Sequence, residues 1–211
     1  MATIDVILPT YNQSEHTVRF LKSLALHGGD YRLIWIDNAS KPEEMTPVRQ
    51  TIQQCQIPHV GITNTENLRF VKAVNQGLAT STAPYVVVMN NDTEIYRDTF
   101  TKLQAAIDSG YAIVGPVSTA GWQSITNLRQ AWDWFREATD DVMPDDHRAI
   151  SAHLAATFGG RVFEVKREKG MVAFFCTMFS RKVLQEVGYL SEEFGIGYGD
   201  DDDYCERAKQ G

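Results

Sequence analysis

The feature that most constrains this chain is an alternation in its first half, where short apolar, β-branched runs take turns with amphipathic stretches of helical period. Residues 3–8, 31–36, 59–63 and 85–89 read as strands. Residues 14–26, 43–54, 70–80 and 98–109 read as helices, the first with Val18, Leu21, Leu24 and Ala25 spaced for one face. Parallel strands need crossover connections, usually helical, so this order specifies an α/β fold with a mostly parallel, Rossmann-like sheet covered on both faces. At 211 residues the chain is long enough for one such domain with a proper core. Ligands of open sheets bind beyond the carboxyl ends of the strands, so the residues that follow each strand come first in a search for chemistry.

Those residues are Pro9-Thr10-Tyr11-Asn12, Asp37-Asn38-Ala39-Ser40 and Asn90-Asn91-Asp92, all polar and all preceded by an apolar strand. In the third set, Asp92 offers a carboxylate that can hold Mg²⁺ or Mn²⁺ against a diphosphate, since hard cations take one or two protein carboxylates and fill other positions with phosphate oxygens. The same triplet also suits a plain turn, because Asn and Asp bond their own backbone. Asp37 can accept from a base or ribose, or can cap the next turn. The amides after residues 3–8, leading into a helix, suit a phosphate, with Ser14 and Glu15 equally suited to simple capping.

The second half is less regular. Residues 127–139 read as a helix whose Trp132, Trp134 and Phe135 are too closely spaced to share a face, residues 161–165 and 171–179 as strands, and residues 181–187 as a short helix. Gly195, Gly197 and Gly199 loosen the chain before four consecutive aspartates, Asp200 to Asp203. An acidic run is commonly a solvated face or a helix start. Here Phe194, Tyr198, Tyr204 and Cys205 flank it, which is not the company of a disordered tail, and one aspartate beside an acceptor hydroxyl can serve as general base. Trp122 suits either packing or stacking on a sugar ring. The end at Gly211, directly after a helical pattern, suggests a domain cut from a longer protein.

Charge and cysteine content narrow the function classes. With 20 basic against 27 acidic residues the formal charge is −7, which leaves no basic stripe to replace the counterions of a nucleic acid. Cys55, Cys176 and Cys205 form no CxxC pair and no zinc grouping with the histidines, so a reducing compartment is expected. The amino terminus lacks the pattern of a signal peptide and no apolar run is long enough to span a bilayer, so a soluble, cytoplasm-facing protein without a transmembrane segment is expected.

Taken in order, the motifs resemble family 2 glycosyltransferases of the GT-A fold, especially the rhamnosyl- and galactofuranosyl-transferase-like group. VILPTYNQ is similar to that family's opening strand and loop, IDNAS to its base-binding turn and NLRFVKAVNQGL to the helix after its third strand. VVVMNNDTE is similar to its DxD element with Asn90 in place of the first acid, and VGPVSTAGWQS to a segment near the acceptor. FFCTMFSRKVLQEVGYLSEEFGIGYGDDDDYCERA resembles its catalytic stretch. The chain also resembles the N-terminal domain of a multidomain glycosyltransferase of a large DNA virus of algae.

The resemblance implies roles for named residues. Thr10, Tyr11 and Asn12 would line the nucleotide, and Asp37 would bind base or ribose. Asn67 and Lys72 would sit near nucleotide or diphosphate, with Asn90 and Asn91 beside the ribose and diphosphate. Asp92 would hold Mn²⁺ or Mg²⁺, and Asp201 would be the base, with Asp203 as the alternative. It further implies a nucleotide-binding half over about residues 1–92 and an acceptor and catalytic half over about 93–211. A UDP-sugar, glucose or rhamnose, is the implied donor, and a glycan or glycoprotein the acceptor. Two other classes stay open from the residues alone: a sugar-phosphate nucleotidyltransferase and a non-catalytic nucleotide-sugar binding module.

Overall fold

The computed structural model describes residues 2–116, 162, 172–194 and 199–210. The elements run β1 (Ile4–Thr10), α1 (Ser14–His27), β2 (Tyr31–Asp37), α2 (Pro42–Gln54), β3 (His59–Thr63), α3 (Arg69–Thr80), β4 (Tyr85–Met89), α4 (Thr99–Asp108) and β5 (Ile113–Val114). They continue with β6 (Cys176–Ser180), α5 (Arg181–Val187) and α6 (Asp200–Gln210). Among the described residues the strands form one sheet in the order β3-β2-β1-β4-β6-β5. The pairs β1·β2, β1·β4 and β2·β3 are parallel, while β6 runs antiparallel to both β4 and β5.

The chain thus winds outward from β1 to β3 and returns to the far side of β1 as β4. The strand order reverses between β1 and β4, which is where a crevice opens at the carboxyl ends. Alternation across β4 explains its unbroken apolar run. Val87 and Met89 pack with Leu8, Phe20, Leu24, Trp35 and Phe100 on one face, whereas Val86 and Val88 pack with Ile7, Ile36, Val74 and Leu78 on the other. Replacing such a residue, Leu24 for instance, by alanine costs about 2–5 kcal/mol through lost burial and the cavity left behind. Gly77 sits where α3 approaches the sheet most closely; a Cβ there would collide with Ile7 and crowd Ile36.

Most expected elements lie where periodicity put them, with ends shifted by one or two residues. The buried face of α1 differs: Thr17, Phe20, Leu21 and Leu24 are buried, while Ala25 is exposed. Residues 172–175 are not part of the expected strand over 171–179. There the Phe175 N–H donates to the Ala173 carbonyl in a tight turn, and β6 begins only at Cys176. Asp98 stands outside its helix at φ 63°, as N-cap of α4. The two-residue β5 was not expected, being too short for any period to reveal. The expected helix over 127–139 and the tryptophans 122, 132 and 134 lie outside the described residues, as does the expected strand over 161–165 apart from Val162.

Candidate active site

At the carboxyl ends of β1, β2 and β4 a cavity of about 320 Å³ is lined by Pro9, Thr10, Tyr11, Asn38, Asn67, Arg69, Phe70, Asn90 and Asn91. Five of the expected site residues meet here: Thr10, Tyr11, Asn67, Asn90 and Asn91. Tyr11 is 50% exposed and offers a ring face. Thr10 contributes to the wall, but its hydroxyl donates to the Ile36 carbonyl (3.2 Å) and accepts from the Trp35 indole (2.9 Å), so it ties β1 to β2. The Asn91 amide donates to the Thr17 hydroxyl (3.0 Å), leaving the amide oxygen for other partners.

Asn12 and Asp37 do not line this cavity. The Asn12 N–H donates to the Ser40 hydroxyl (2.8 Å) and its side-chain oxygen accepts from the Lys41 N–H (2.9 Å), stitching the loop after β1 to the loop after β2. The Asp37 carboxylate is buried and accepts the Ser40 N–H (3.0 Å), with Arg49 3.8 Å away, so the capping alternative describes its geometry. At the start of α1, where a phosphate was expected to suit the amides, one amide is already engaged. The Ser14 N–H donates to the Glu44 carboxylate (2.9 Å), and neither Ser14 nor Glu15 caps the helix. That amide, followed by other contacts, holds the Glu44 carboxyl below its usual value.

A network of neutral amides anchors the opposite wall. Asn38, buried, donates to Asn67 (2.9 Å) and to the Arg69 carbonyl (3.2 Å), and its oxygen accepts from Asn64 and the Leu68 N–H. Asn64 and Gln76 exchange side-chain hydrogen bonds of 2.9 Å in both directions. Asn67 in turn accepts the Arg69 N–H at 2.8 Å. Lys72 lies in a neighbouring cavity of about 340 Å³, which shares Asn67 and Arg69 with the first and is also lined by Glu66, Leu68, Val71 and Glu192. Asn38, Arg69 and Phe70 are wall residues to which the sequence had assigned no role. Asn38 and Arg69 stand inside motifs already singled out, but a left-handed arginine leaves no signature in sequence.

Asp92 is exposed just past β4. Among the described residues no three His, Cys, Asp or Glu side chains converge, so these residues build no closed metal cage there. One exposed carboxylate, next in sequence to two asparagines, has the chemistry for a hard cation whose remaining ligands are phosphate and water.

The aspartate run forms the first turn of α6. Asp203 is paired with Arg207 at 2.8 Å, which also donates to the carbonyls of Val187 and Tyr189, so the alternative base serves a structural ion pair. Asp202 is exposed. Asp200 is only 3% exposed, and burial first, then its acidic neighbours, push its carboxyl up to about 6. Burial also raises Asp201, with the Asp202 and Phe174 backbone amides pulling the other way. Phe174 adjoins Phe175, whose carbonyl accepts the Asn90 N–H at 2.9 Å, so residues 174 and 175 connect the surroundings of the Asp201 carboxylate to the end of β4. The cysteines stay incidental: all are free, and burial pushes Cys176 up to about 12 and Cys205 to about 11.

Comparisons with known proteins bear on the family and the fold. The family described as "Glycosyl transferase family 2" matches residues 5–188. An undecaprenyl-phosphate 4-deoxy-4-formamido-L-arabinose transferase of Enterobacter sp. (strain 638) is 23% identical over 208 residues, covering 91% of this chain and 61% of that protein. The mannosyltransferase PcManGT from Pyrobaculum calidifontis, solved with GDP-Man and Mn²⁺, superposes with a TM-score of 0.67 at 18% identity, over 98% of this chain and 52% of that one. S. aureus TarS 1-349 with UDP-GlcNAc gives a TM-score of 0.62 at 17% identity, over 98% of this chain and 53% of that one. These likenesses show the fold, an α/β sheet of the GT-A type, and the chain spans little more than half the length of the proteins it matches. No helix among the described residues is long and apolar enough to cross a membrane.

Proposed function

The chain belongs to glycosyl transferase family 2, and from that premise we propose that it is the donor-binding and catalytic domain of an inverting, metal-assisted hexosyltransferase. Membership in that family sets aside the nucleotidyltransferase alternative. The observation that carries the reading is the cavity at the carboxyl ends of β1, β2 and β4, where an exposed aromatic ring, a set of amides and one cation face a common space. That combination suits a base on Tyr11, a ribose among Asn67, Asn90 and Asn91, and a diphosphate leading toward Asp92. Residues 1–92 then form the nucleotide half and 93–211 the acceptor half.

When bound at Asp92, Mn²⁺ or Mg²⁺ supplies charge neutralisation for the departing nucleoside diphosphate. Asp201 takes the proton from the acceptor hydroxyl as that oxygen bonds to the anomeric carbon and the bond to the diphosphate breaks on the opposite face. Its raised proton affinity favours this role, because a carboxylate poised closer to working pH is the better base. The relatives support a nucleoside diphosphate sugar as donor class, since solved neighbours hold GDP-Man and UDP-GlcNAc. Motif resemblance favours UDP with glucose or rhamnose, a glycan or glycoprotein acceptor, and a cytoplasm-facing, virus-like multidomain context.

The test is a thermal-shift screen of UDP- and GDP-sugars with and without Mn²⁺, followed by donor hydrolysis. A ligand at about 100-fold over its Kd adds about 2.7 kcal/mol, a shift of several degrees for a domain of this size. Stabilisation by a sugar nucleotide with slow metal-dependent hydrolysis is expected; stabilisation without hydrolysis leaves a binding module, and no shift with any donor overturns the reading.

A further inference from the structure

Arg69 is the first residue of α3 and adopts φ 65°. A side chain with a Cβ is disfavoured in that left-handed region, and glycine is the residue that occupies it without cost. The chain nevertheless keeps an arginine there and braces it from both sides of its backbone. Asn67 accepts its N–H at 2.8 Å, and Asn38 donates to its carbonyl at 3.2 Å. Asn38 is itself held by Asn64, and Asn64 by Gln76.

The braced residue is exposed, lines both cavities at the carboxyl end of the sheet, and makes no ion pair with any described residue. Among the described residues it is the only charged one on the wall of the 320 Å³ cavity. In a chain with a formal charge of −7, a lone cation in such a place marks where negative charge is received. A planar guanidinium suits phosphate oxygens, which it can engage with two parallel N–H groups. The opposite side of the site makes this contribution useful: Asn90 and Asn91 are neutral, so a cation at Asp92 would find no second carboxylate in that triplet.

We propose that Arg69 is the diphosphate-binding residue of this cleft and gives it an affinity for nucleoside diphosphates that needs no metal. The proposal rests on the reading of the cavity as a donor site. The divalent ion and Arg69 then divide the neutralisation of the diphosphate, and either one alone retains part of the affinity.

Titration calorimetry of the 211-residue chain with UDP, uridine, GDP and guanosine, in EDTA and in Mn²⁺, tests it, using wild type, Arg69→Gly and Arg69→Lys. In EDTA the wild type should prefer a diphosphate over its nucleoside by about tenfold, one strong charge-assisted contact. Arg69→Gly should erase that preference while leaving nucleoside affinity intact and the unliganded Tm equal or higher, because glycine relieves the left-handed backbone. Arg69→Lys should restore part of the preference. A bracing role alone predicts the reverse, a lower Tm with an unchanged diphosphate-to-nucleoside ratio, and that result overturns the proposal. Wild type that binds a diphosphate only with Mn²⁺ overturns it too, leaving the donor site standing. Failure of every nucleotide to bind, with or without Mn²⁺, removes the donor site and this inference together.

Discussion

At the amino end of the sheet Asp5 is fully buried, and both its carboxylate oxygens are engaged by Arg32 at 2.8 Å, with the Thr82 and Ala83 amides adding bonds of 2.6 and 2.8 Å. Beside it, Arg181 donates to the Ala83 carbonyl and the Ser81 hydroxyl, just past the carboxyl end of α3, where a helix presents negative charge. At the carboxyl end of the same strands, neutral amides satisfy one another, while Tyr11, Arg69 and Asp92 are left facing outward. The amino end thus spends its charges on closing the sheet. The carboxyl end is made rigid mainly with uncharged groups, the buried Asp37 being held in its own turn, so that Arg69 and Asp92 remain available to a ligand. An amide network costs less to bury than a charge and fixes the geometry nearly as well.

If that division holds, changes at one end should move chemistry and changes at the other should move stability. The largest effect is expected from Asp201→Asn, which keeps shape and one acceptor oxygen but is a poor base. Sugar transfer should fall by about 10²–10⁴-fold with donor affinity kept, read from a turnover assay beside a donor titration. Near-normal transfer, with the loss appearing instead in Asp200→Asn, would move the base by one residue.

At the opposite end, Asp5→Asn should lower unfolding free energy by about 2–4 kcal/mol, because it leaves a guanidinium and two amides short of partners. Arg32 keeps part of its side chain in water, which holds the loss below the ceiling for a fully buried pair. Burial alone would raise the Asp5 carboxyl, but the Arg32 and backbone hydrogen bonds outweigh it and hold the group below its usual value of 3.8. Its contribution is therefore present above that value and lost as pH falls through the folded pKa, so urea unfolding of wild type and variant should converge in strong acid. A drop in donor affinity without a drop in stability would break the comparison.

Asp200 differs from Asp37: it is buried at the same end with no ion pair among the described residues. With its carboxyl raised to about 6, the stability it contributes is present in acid and lost as pH rises through that value. Asp200→Asn should consequently stabilise the fold by about 1–2 kcal/mol at pH 7.5 and by almost nothing at pH 4, measured by urea unfolding at both. The smallest effect is expected from Asp37→Ala, about 1 kcal/mol of stability from the lost turn bond to Ser40, with nucleotide affinity kept. If calorimetry instead shows affinity falling with stability unchanged, the Asp37 carboxylate faces the base and belongs with the open groups.

The sequence by itself determined the layer architecture, because strand and helix periods are local and a buried strand such as Tyr85–Met89 has nowhere to go but between two helical layers. It likewise located the carboxyl-end loops, since position after a strand is a property of order along the chain. Only the tertiary structure decided what the polar side chains in those loops do. Asn12, Thr10 and Asp37 have the same composition signal as ligand-binding residues, yet each also bonds a partner at least 25 positions away or within its own turn. Arg69 shows the converse, since its place on the cavity wall depends on Asn38, which is 31 residues earlier in the chain. Hydrogen-bond partners are assigned by packing, not by order, so a chain can announce where its site lies before it reveals which of its polar groups are still free.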